Sequence, residues 1–263
     1  MKIKFLGSGS AFVNHEENFQ SNILISEGTS NLLYDCGTTI NDALLFNSVS
    51  LQDITDIYIS HLHADHAGGV EFVAFKTYFD GFPFGQHKPR MIAHDDIIKN
   101  GWECTWKGGL GAIHGQKMEL SNYFDITSHT DNGIFFFEGI EFSPELSTHV
   151  NNGENDVPSF GLSWEYNEHS VFISGDCKLP ESFTQYETST IIFHDCEFAE
   201  YLGSVHTQFH ELKELPDEVK AKMWLYHYAL NDKHIWEYET LAEEAGFAGI
   251  VRRGQEFNLG LIE

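Results

Sequence analysis

The chain has 263 residues and 41% hydrophobic content, enough for one large domain or two small ones with a real core. Its formal charge is −25, with 15 lysines and arginines against 40 aspartates and glutamates, and no basic cluster. That balance excludes the basic stripe with which a protein grips a long phosphate backbone, so a long nucleic acid is not the expected partner, whereas a small anion is easier to reconcile with it.

No run approaches the roughly 20 apolar residues of a membrane span, and the apolar part of the opening MKIKFLGSGSAF is too short for a secretion signal, so the expectation is a cytoplasmic protein (host cytoplasm if viral). The four cysteines, Cys36, Cys104, Cys177 and Cys196, are scattered and form no CxxC pair. They read as reduced, mostly buried thiols.

In chain order, Met1 to Phe5 is a strand and Gly7-Ser8-Gly9-Ser10 a tight turn. Asn22 to Ser26 and Asn31 to Tyr34 are strands around a turn at Glu27 to Ser30, and Ile40 to Phe46 is a short helix. Ile57-Tyr58-Ile59 is a strand, Gly68-Gly69 gives freedom to turn, and Val70 to Phe79 is helical. Gly81 to Arg90 connects to a strand at Met91 to Ala93, and a helix begins at Asp95. The stretch Gly101 to Gly115, aromatic and glycine-rich, reads as a flexible loop or cap.

Phe124 to Ser128, Gly133 to Phe137 and Ile140 to Phe142 read as strands of a second sheet. After a polar loop at Asn151 to Asp156, Ser159 to Tyr166 and Ser170 to Ile173 form a hairpin around Asn167-Glu168. Thr190 to His194 and Met223 to Tyr226 are strands. Leu212 to Lys222 is broken by Pro216, Ile235 to Ala245 is a helix, and Glu256 to Leu261 is the last strand. Alternation of this kind predicts an αββα sandwich, an α/β fold with two mixed sheets inside and helices outside, as a single domain over residues 1–263.

The chemistry concentrates in ITDIYISHLHADHAGG, residues 54–69. Four potential metal ligands, His61, His63, Asp65 and His66, fall within six residues. They can converge only where the chain leaves a strand and turns, so that a loop wraps its side chains around a point. Imidazole with carboxylate is a zinc ligand set. Surface histidines on a loop are the bland alternative, and a HxHxDH cluster at a strand end argues against it.

This stretch resembles the signature of the metallo-β-lactamase-fold hydrolases, and the resemblance extends over nearly the full chain. It implies further ligands at predicted strand ends: His149, Asp176 in Ser-Gly-Asp, and His227. It also implies a supporting role for Asp35 in Tyr-Asp-Cys-Gly. The implied set has His61, His63 and His149 on one metal, Asp65, His66 and His227 on the other, and Asp176 bridging. Asp65 then serves both as ligand and as catalytic residue. The implied cofactors are two divalent ions, zinc foremost, with manganese or iron as alternatives. Histidine rather than glutamate at 63 disfavours the oxygen-reducing di-iron branch.

Within the fold, the chain is most similar to the ribonuclease-Z-like phosphodiesterases. Phe193 to Phe198, FHDCEF, resembles that group's His-Glu-Ala-Thr-Phe segment, and His206 stands at close to that group's spacing from His227. The resemblance implies His206 as a catalytic acid oriented by Asp195. The chain departs from that group in lacking a basic arm and in reading His227-Tyr228-Ala229-Leu230 where the group has His-Phe-Ser-x-Arg.

The pattern from FLGSGSAF through ENFQSN to KAKMWLYHYALNDKH resembles the anti-Pycsar proteins. That implies a homodimer that hydrolyses 3′,5′-cyclic mononucleotides (cUMP, cCMP, cAMP, cGMP) and silences an antiviral signal. The rival expectations are a transfer-RNA 3′-end endonuclease, a lactone or thioester hydrolase, and a non-catalytic binding protein of the same fold.

Overall fold

The structure is a computed structural model that describes all residues except 15, 82–84, 86, 152, 155, 180–183, 201–203, 231–233 and 261–263. Two seven-stranded mixed sheets dominate it. The first contains β1 (Lys2–Gly7), β2 (Asn22–Glu27), β3 (Ser30–Tyr34), β4 (Asp56–Ile59), β5 (Arg90–His94), β8 (Asp125–His129) and β16 (Glu256–Asn258), in the order β16-β1-β2-β3-β4-β5-β8. A separate two-stranded ribbon, β6 (Ala112–Ile113) with β7 (Gln116–Lys117), lies between them in sequence. The second sheet contains β9 (Phe135–Phe137), β10 (Ile140–Asn151), β11 (Asp156–Tyr166), β12 (His169–Ile173), β13 (Ile191–Asp195), β14 (Met223–Tyr226) and β15 (Gly249–Ile250), in that order across the sheet. In each sheet an antiparallel half adjoins a parallel half, β3-β4-β5-β8 in one and β12-β13-β14-β15 in the other.

The period-2 alternation of the buried strands divides their side chains between two cores. On β13, Ile191 and Phe193 join the core between the sheets, while Ile192 joins a second core. On β14, Tyr226 faces inward and Leu225 outward by the same division. Phe5 of β1 bridges the sheets, its ring 5.0 Å from Phe193 and 5.6 Å from Tyr226. Tyr34 donates its hydroxyl to Phe160 O at 3.2 Å, from one sheet to the other. The second core holds Leu212 of α7 (Phe209–Leu212), Val219 of α8 (Asp217–Lys220) and Tyr238 with Ala242 of α9 (Ile235–Glu244). On the other side, α1 (Ile40–Phe46), α3 (Val70–Lys76) and α4 (Asp95–Asn100) cover the first sheet with Ala43, Val73 and Ile97 buried. Helices flank two sheets, as the alternation predicted.

Five local expectations need correction. Phe124 to Ser128 belongs to the first sheet: β8 pairs parallel with β5, Met91 opposite Ile126. The chain returns there because Gly101 to Gly115 is not a flexible loop but a folded crossover. It forms a wide π-helical turn (Gly101–Trp106), the short helix α5 (Lys107–Leu110) and the β6–β7 ribbon, with Trp102, Trp106 and Leu110 buried. Gly101 is there to make room, since a Cβ would stand 2.4 Å from the Trp106 ring.

Gly7 to Ser10 is not a tight turn either. β1 continues to Gly7, and the next residues run on as backbone partners: His227 N donates to Ser8 O at 2.8 Å, and Ser10 N to Tyr228 O at 3.1 Å. Gly68 and Gly69 have ordinary negative φ, −72° and −87°. What they supply is close approach, because a Cβ on Gly69 would lie 2.4 Å from Gly37 O. Helix α3 ends at Lys76, and a π-helical turn carries the chain to Gly81.

Part of the Gly81 to Arg90 connection, and residues 152 and 155 of the polar loop, lie outside the described residues. Pro216 does break its segment, standing at the start of α8. All four cysteines are free, with only Cys104 exposed. Among the described residues no helix is long and apolar enough to cross a membrane.

Candidate metal centre

The predicted site residues come together at the carboxyl ends of β3, β4, β12, β13 and β14, near the end of β10, and in the loop between β13 and α7 that carries His206. Four short devices aim them. Asp35 follows β3 with a φ of 64°. Its carboxylate accepts from Ser60 N (2.8 Å), Ser60 Oγ (2.9 Å) and His66 Nδ1 (2.7 Å), so the end of β3 is tied to the loop that follows β4. That loop enters the one-turn helix α2 (Ala64–Ala67), which is laced to the residues after β3 by Cys36 N to His66 O (2.7 Å) and Thr38 N to Ala64 O (3.2 Å). A Cβ on Gly37 would lie 2.1 Å from Asp65 O, so only glycine allows this packing.

His149 sits at a register shift between Thr148 and Val150, where a bulge re-aims the side chain. Asp176 follows Gly175, whose φ of 63° swings the chain off β12. His227 follows β14 with a φ of 59° and is pinned by Ser8.

Two groups result, and they share one carboxylate. His61, His63, His149 and Asp176 form the first; Asp65, His66, Asp176 and His227 form the second; within each, the potential ligand atoms all lie within 4.8 Å of one another. In the first, His63 Nδ1 lies 3.0 Å from both His61 Nε2 and His149 Nε2. In the second, His66 Nε2 lies 3.3 Å from His227 Nε2 and 3.1 Å from Asp176 Oδ2.

Outer contacts fix which ring nitrogen faces inward. His61 Nδ1 donates to Ser60 Oγ (3.0 Å), His149 Nδ1 to Val205 O (3.0 Å) and His66 Nδ1 to Asp35, leaving each Nε2 turned to the centre. Burial pushes the pKa of His61 well down, and that of His149 to about 4, so both are neutral imidazoles. Burial opposes charge on His66 too, but Asp176, Asp35 and Asp65 outweigh it and hold His66 well above the usual histidine range. For Asp65 and Asp176 burial would raise the pKa, yet neighbouring histidines, His66 and His227 among them, hold both well below the ordinary carboxylate range.

This donor set fits divalent cations. In the first group His61 Nε2 and His149 Nε2 each turn a lone pair to His63 Nδ1 at 3.0 Å, and a positive centre among the three relieves whichever contact carries no proton. Asp176 Oδ1 is buried with no hydrogen-bond partner, an oxygen with capacity to spare at the point both groups share.

Beside the two groups stands a third pair. His206 Nδ1 donates to Asp195 Oδ2 at 3.0 Å and lies 3.7 Å from Asp176 Oδ2. His206 is no surface residue, its side chain being 17% exposed. Burial works against its charge, but Asp176 and the Asp195 hydrogen bond raise its pKa to about 9. Asp195 is held in turn by Cys177, whose N (3.2 Å) and Sγ (3.4 Å) both donate to its carboxylate. Burial pushes the Cys177 thiol well up, so it stays protonated as a donor.

From the sequence Cys177 reads only as a reduced thiol, with no sign of its hold on Asp195. Reasoning from sequence missed Ser60, Gln20 and the Val205 carbonyl altogether. Gln20 lies in the quoted ENFQSN, but nothing in that string shows that its amide reaches Thr38, Thr39 and Ala11.

The model of the anti-Pycsar protein Apyc1 family matches residues 1–257. The chain belongs to that family. It is 33% identical to anti-Pycsar protein Apyc1 of Paenibacillus harenae over 234 residues, covering 87% of this chain and 90% of the relative. To the namesake of Bacillus phage 010DV004 it is 31% identical over 266 residues, covering 98% of each chain. Among solved structures, the metallo-β-lactamase-fold protein YhfI of Bacillus subtilis superposes with a TM-score of 0.73 at 20% identity, covering 97% of this chain and 98% of that one. The short form of human tRNase Z gives 0.70 at 15% identity, covering 98% of both. Family members thus come from bacteria and from phages, and the fold is the metallo-β-lactamase fold.

Proposed function

We propose that this protein is a metal-dependent phosphodiesterase that hydrolyses 3′,5′-cyclic mononucleotides, cUMP, cCMP, cAMP and cGMP, to linear monophosphates, and so removes a cyclic-nucleotide antiviral signal. The observation that carries the reading is the Asp195–His206 pair set against the carboxylate shared by two ligand groups. A lactone or thioester hydrolysis has less need of such an acid; a phosphodiester, with its poor alkoxide leaving group, does.

The ligands proposed are His61, His63, His149 and Asp176 for one ion and Asp65, His66, His227 and Asp176 for the other. Zinc suits the imidazole–carboxylate set, and manganese is compatible with it. When bound, the ions supply Lewis-acid chemistry, lowering the pKa of water and neutralising phosphate charge. The chain's residues do the rest. Asp65 lies on the wall of the cavity beside the centre and accepts a hydrogen bond from the attacking water, orienting it in line with the ribose ester bond. His206 lines the same cavity; with Nδ1 held by Asp195, its Nε2–H is the proton that the departing ribose oxygen takes. Net, water adds across one P–O bond: its oxygen goes to phosphorus, the ribose oxygen leaves with the His206 proton, and the proton that water releases restores His206. The acidity of the chain keeps long RNA away while leaving a single phosphate admissible. We further propose a single domain over residues 1–263 and a homodimer, as the family resemblance implies.

The test is turnover of the four cyclic nucleotides by zinc- or manganese-loaded protein, with His66→Ala, His206→Ala and a precursor transfer RNA in parallel. Release of linear monophosphate by the wild type and none by His66→Ala is expected. Cleavage of the RNA with silence on the cyclic nucleotides would overturn the reading in favour of the RNA endonuclease, and silence on both would turn it to lactones and thioesters.

A further inference from the structure

One aromatic residue near the metal centre has no structural task. Phe12 is 96% exposed, the most exposed of the large hydrophobic side chains among the described residues. A phenylalanine in water forgoes its burial energy, so an isolated one on an unremarkable surface would need no explanation. This one lines the cavity of about 520 Å³ that also holds His63, Asp65, Asp176, Val205 and His206.

Its neighbours are anchored, so the backbone that carries the ring is fixed beside the cavity. Val13 N donates to Ser10 O at 3.3 Å, closing a turn over Ala11 and Phe12. Val13 itself is buried, and Gly9 packs so closely on it that a Cβ would fall 2.6 Å from a Val13 methyl. Buried Gln20 fastens the turn to the metal loop: its Nε2 donates to Ala11 O (3.2 Å), while its Oε1 accepts from Thr38 Oγ1 (2.9 Å) and Thr39 N (3.2 Å). Those threonines belong to the segment laced under α2. The backbone from which the Phe12 ring projects is therefore tied to the segment that carries Asp65 and His66 through one buried amide.

Resting on the reading above, we propose that Phe12 is the base-stacking wall of the substrate site: the cyclic phosphate is held at the metal centre and the nucleobase lies on the Phe12 ring. Every nucleobase offers a π-face, so a single aromatic wall without hydrogen-bond readout accepts purine and pyrimidine alike. Gln20, which fastens the turn, has its carbonyl oxygen taken by Thr38 and Thr39 and one amide hydrogen by Ala11 O, which leaves at most one donor for a base edge. Val205, in the lining of the same cavity, offers an apolar side chain, its carbonyl accepting from His149 Nδ1.

The experiment compares wild type, Phe12→Ala and Phe12→Trp on cUMP, cAMP and the base-free analogue 1-O-methylribose 3′,5′-cyclic phosphate, with sedimentation of each protein. Phe12 is fully exposed, so its removal leaves the fold intact. Phe12→Ala is expected to raise KM for both nucleotides about tenfold, as loss of one base–aromatic stack does, with a larger effect on the purine, which covers more of the ring. Turnover of the base-free analogue stays unchanged, and Phe12→Trp restores KM. Equal losses on nucleotides and base-free analogue, or no loss on any, would overturn the proposal while leaving the phosphodiesterase reading standing. A dimer that dissociates in Phe12→Ala with activity lost on all three substrates would mean that a second copy covers the ring. A wild type silent on all three would remove the phosphodiesterase reading, and this proposal with it.

Discussion

The two ligand groups share Asp176 but are built differently. The group of His61, His63 and His149 is three imidazoles and one carboxylate, and its His63 is exposed. The group of Asp65, His66 and His227 is buried throughout, holds two carboxylates, and has a third, Asp35, behind His66 at 2.7 Å. The first is made of neutral donors that burial has already stripped of protons. The second gathers negative charge around a histidine which, without an ion, keeps its proton. One candidate centre thus joins a buried group to a more accessible one whose His63 lines the cavity beside it.

The most damaging way to test that division is to remove the core of the buried seat. His66→Ala leaves Asp35 and Asp65 without their counter-charge, and turnover should fall to that of metal-free protein. His63→Ala, on the accessible side, should leave one ion bound by elemental analysis while activity falls.

Next in size is His206→Ala, expected to lower kcat by ~10²–10⁴, the usual range for a positioned acid, with bound metal unchanged. The pH profile adds a sign. A histidine raised to about 9 acts as an acid below that pH, so activity should fall as pH rises through it. Asp195→Asn removes one cause of the raised value and should move that alkaline limb to lower pH.

Asp35→Asn tests the support of the buried seat alone. Loss of such an outer carboxylate typically costs about 10–100-fold in metal affinity, and here one of two binding steps should weaken while the other does not. Proton release sharpens the same contrast. At pH 7 the buried group must give up the His66 proton to take an ion, whereas His61 and His149 are already neutral. Binding calorimetry in buffers of different ionisation enthalpy should therefore show protons released in one step only, and that step should weaken as pH falls.

The smallest effect lies away from the centre. Trp106 Nε1 donates to Ala67 O (3.2 Å) at the end of α2. Trp106→Phe should cost about 1–2 kcal/mol in denaturant unfolding, the price of an unpaired buried carbonyl and lost packing, with metal content kept.

What could be read from the sequence depended on how local each feature was. The HxHxDH run is contiguous, so its chemistry was legible at once, and the strand before it follows from the apolar run Ile57-Tyr58-Ile59, which is buried throughout. His149, Asp176 and His227 come from distant strand ends, and only the resemblance linked them. The Gly101 to Gly115 stretch misled because its glycines suggested mobility. Three of them, Gly101, Gly109 and Gly111, serve close packing, and Trp102 and Trp106 stand at a one-turn spacing. Partners of β8 could not be read, since pairing depends on the crossover before it. Gln20 and Phe12 gain meaning only from contacts through space.

Joint action of two ions, held by groups of unequal character, on one phosphodiester is what we propose. It is tested most directly by titrating metal-free protein with zinc while following both binding and cUMP hydrolysis in the same samples. The account predicts two resolved binding steps, the first silent in activity, with turnover rising only with the second equivalent. Full activity at one equivalent, or two bound ions with no turnover of any cyclic nucleotide, would contradict it.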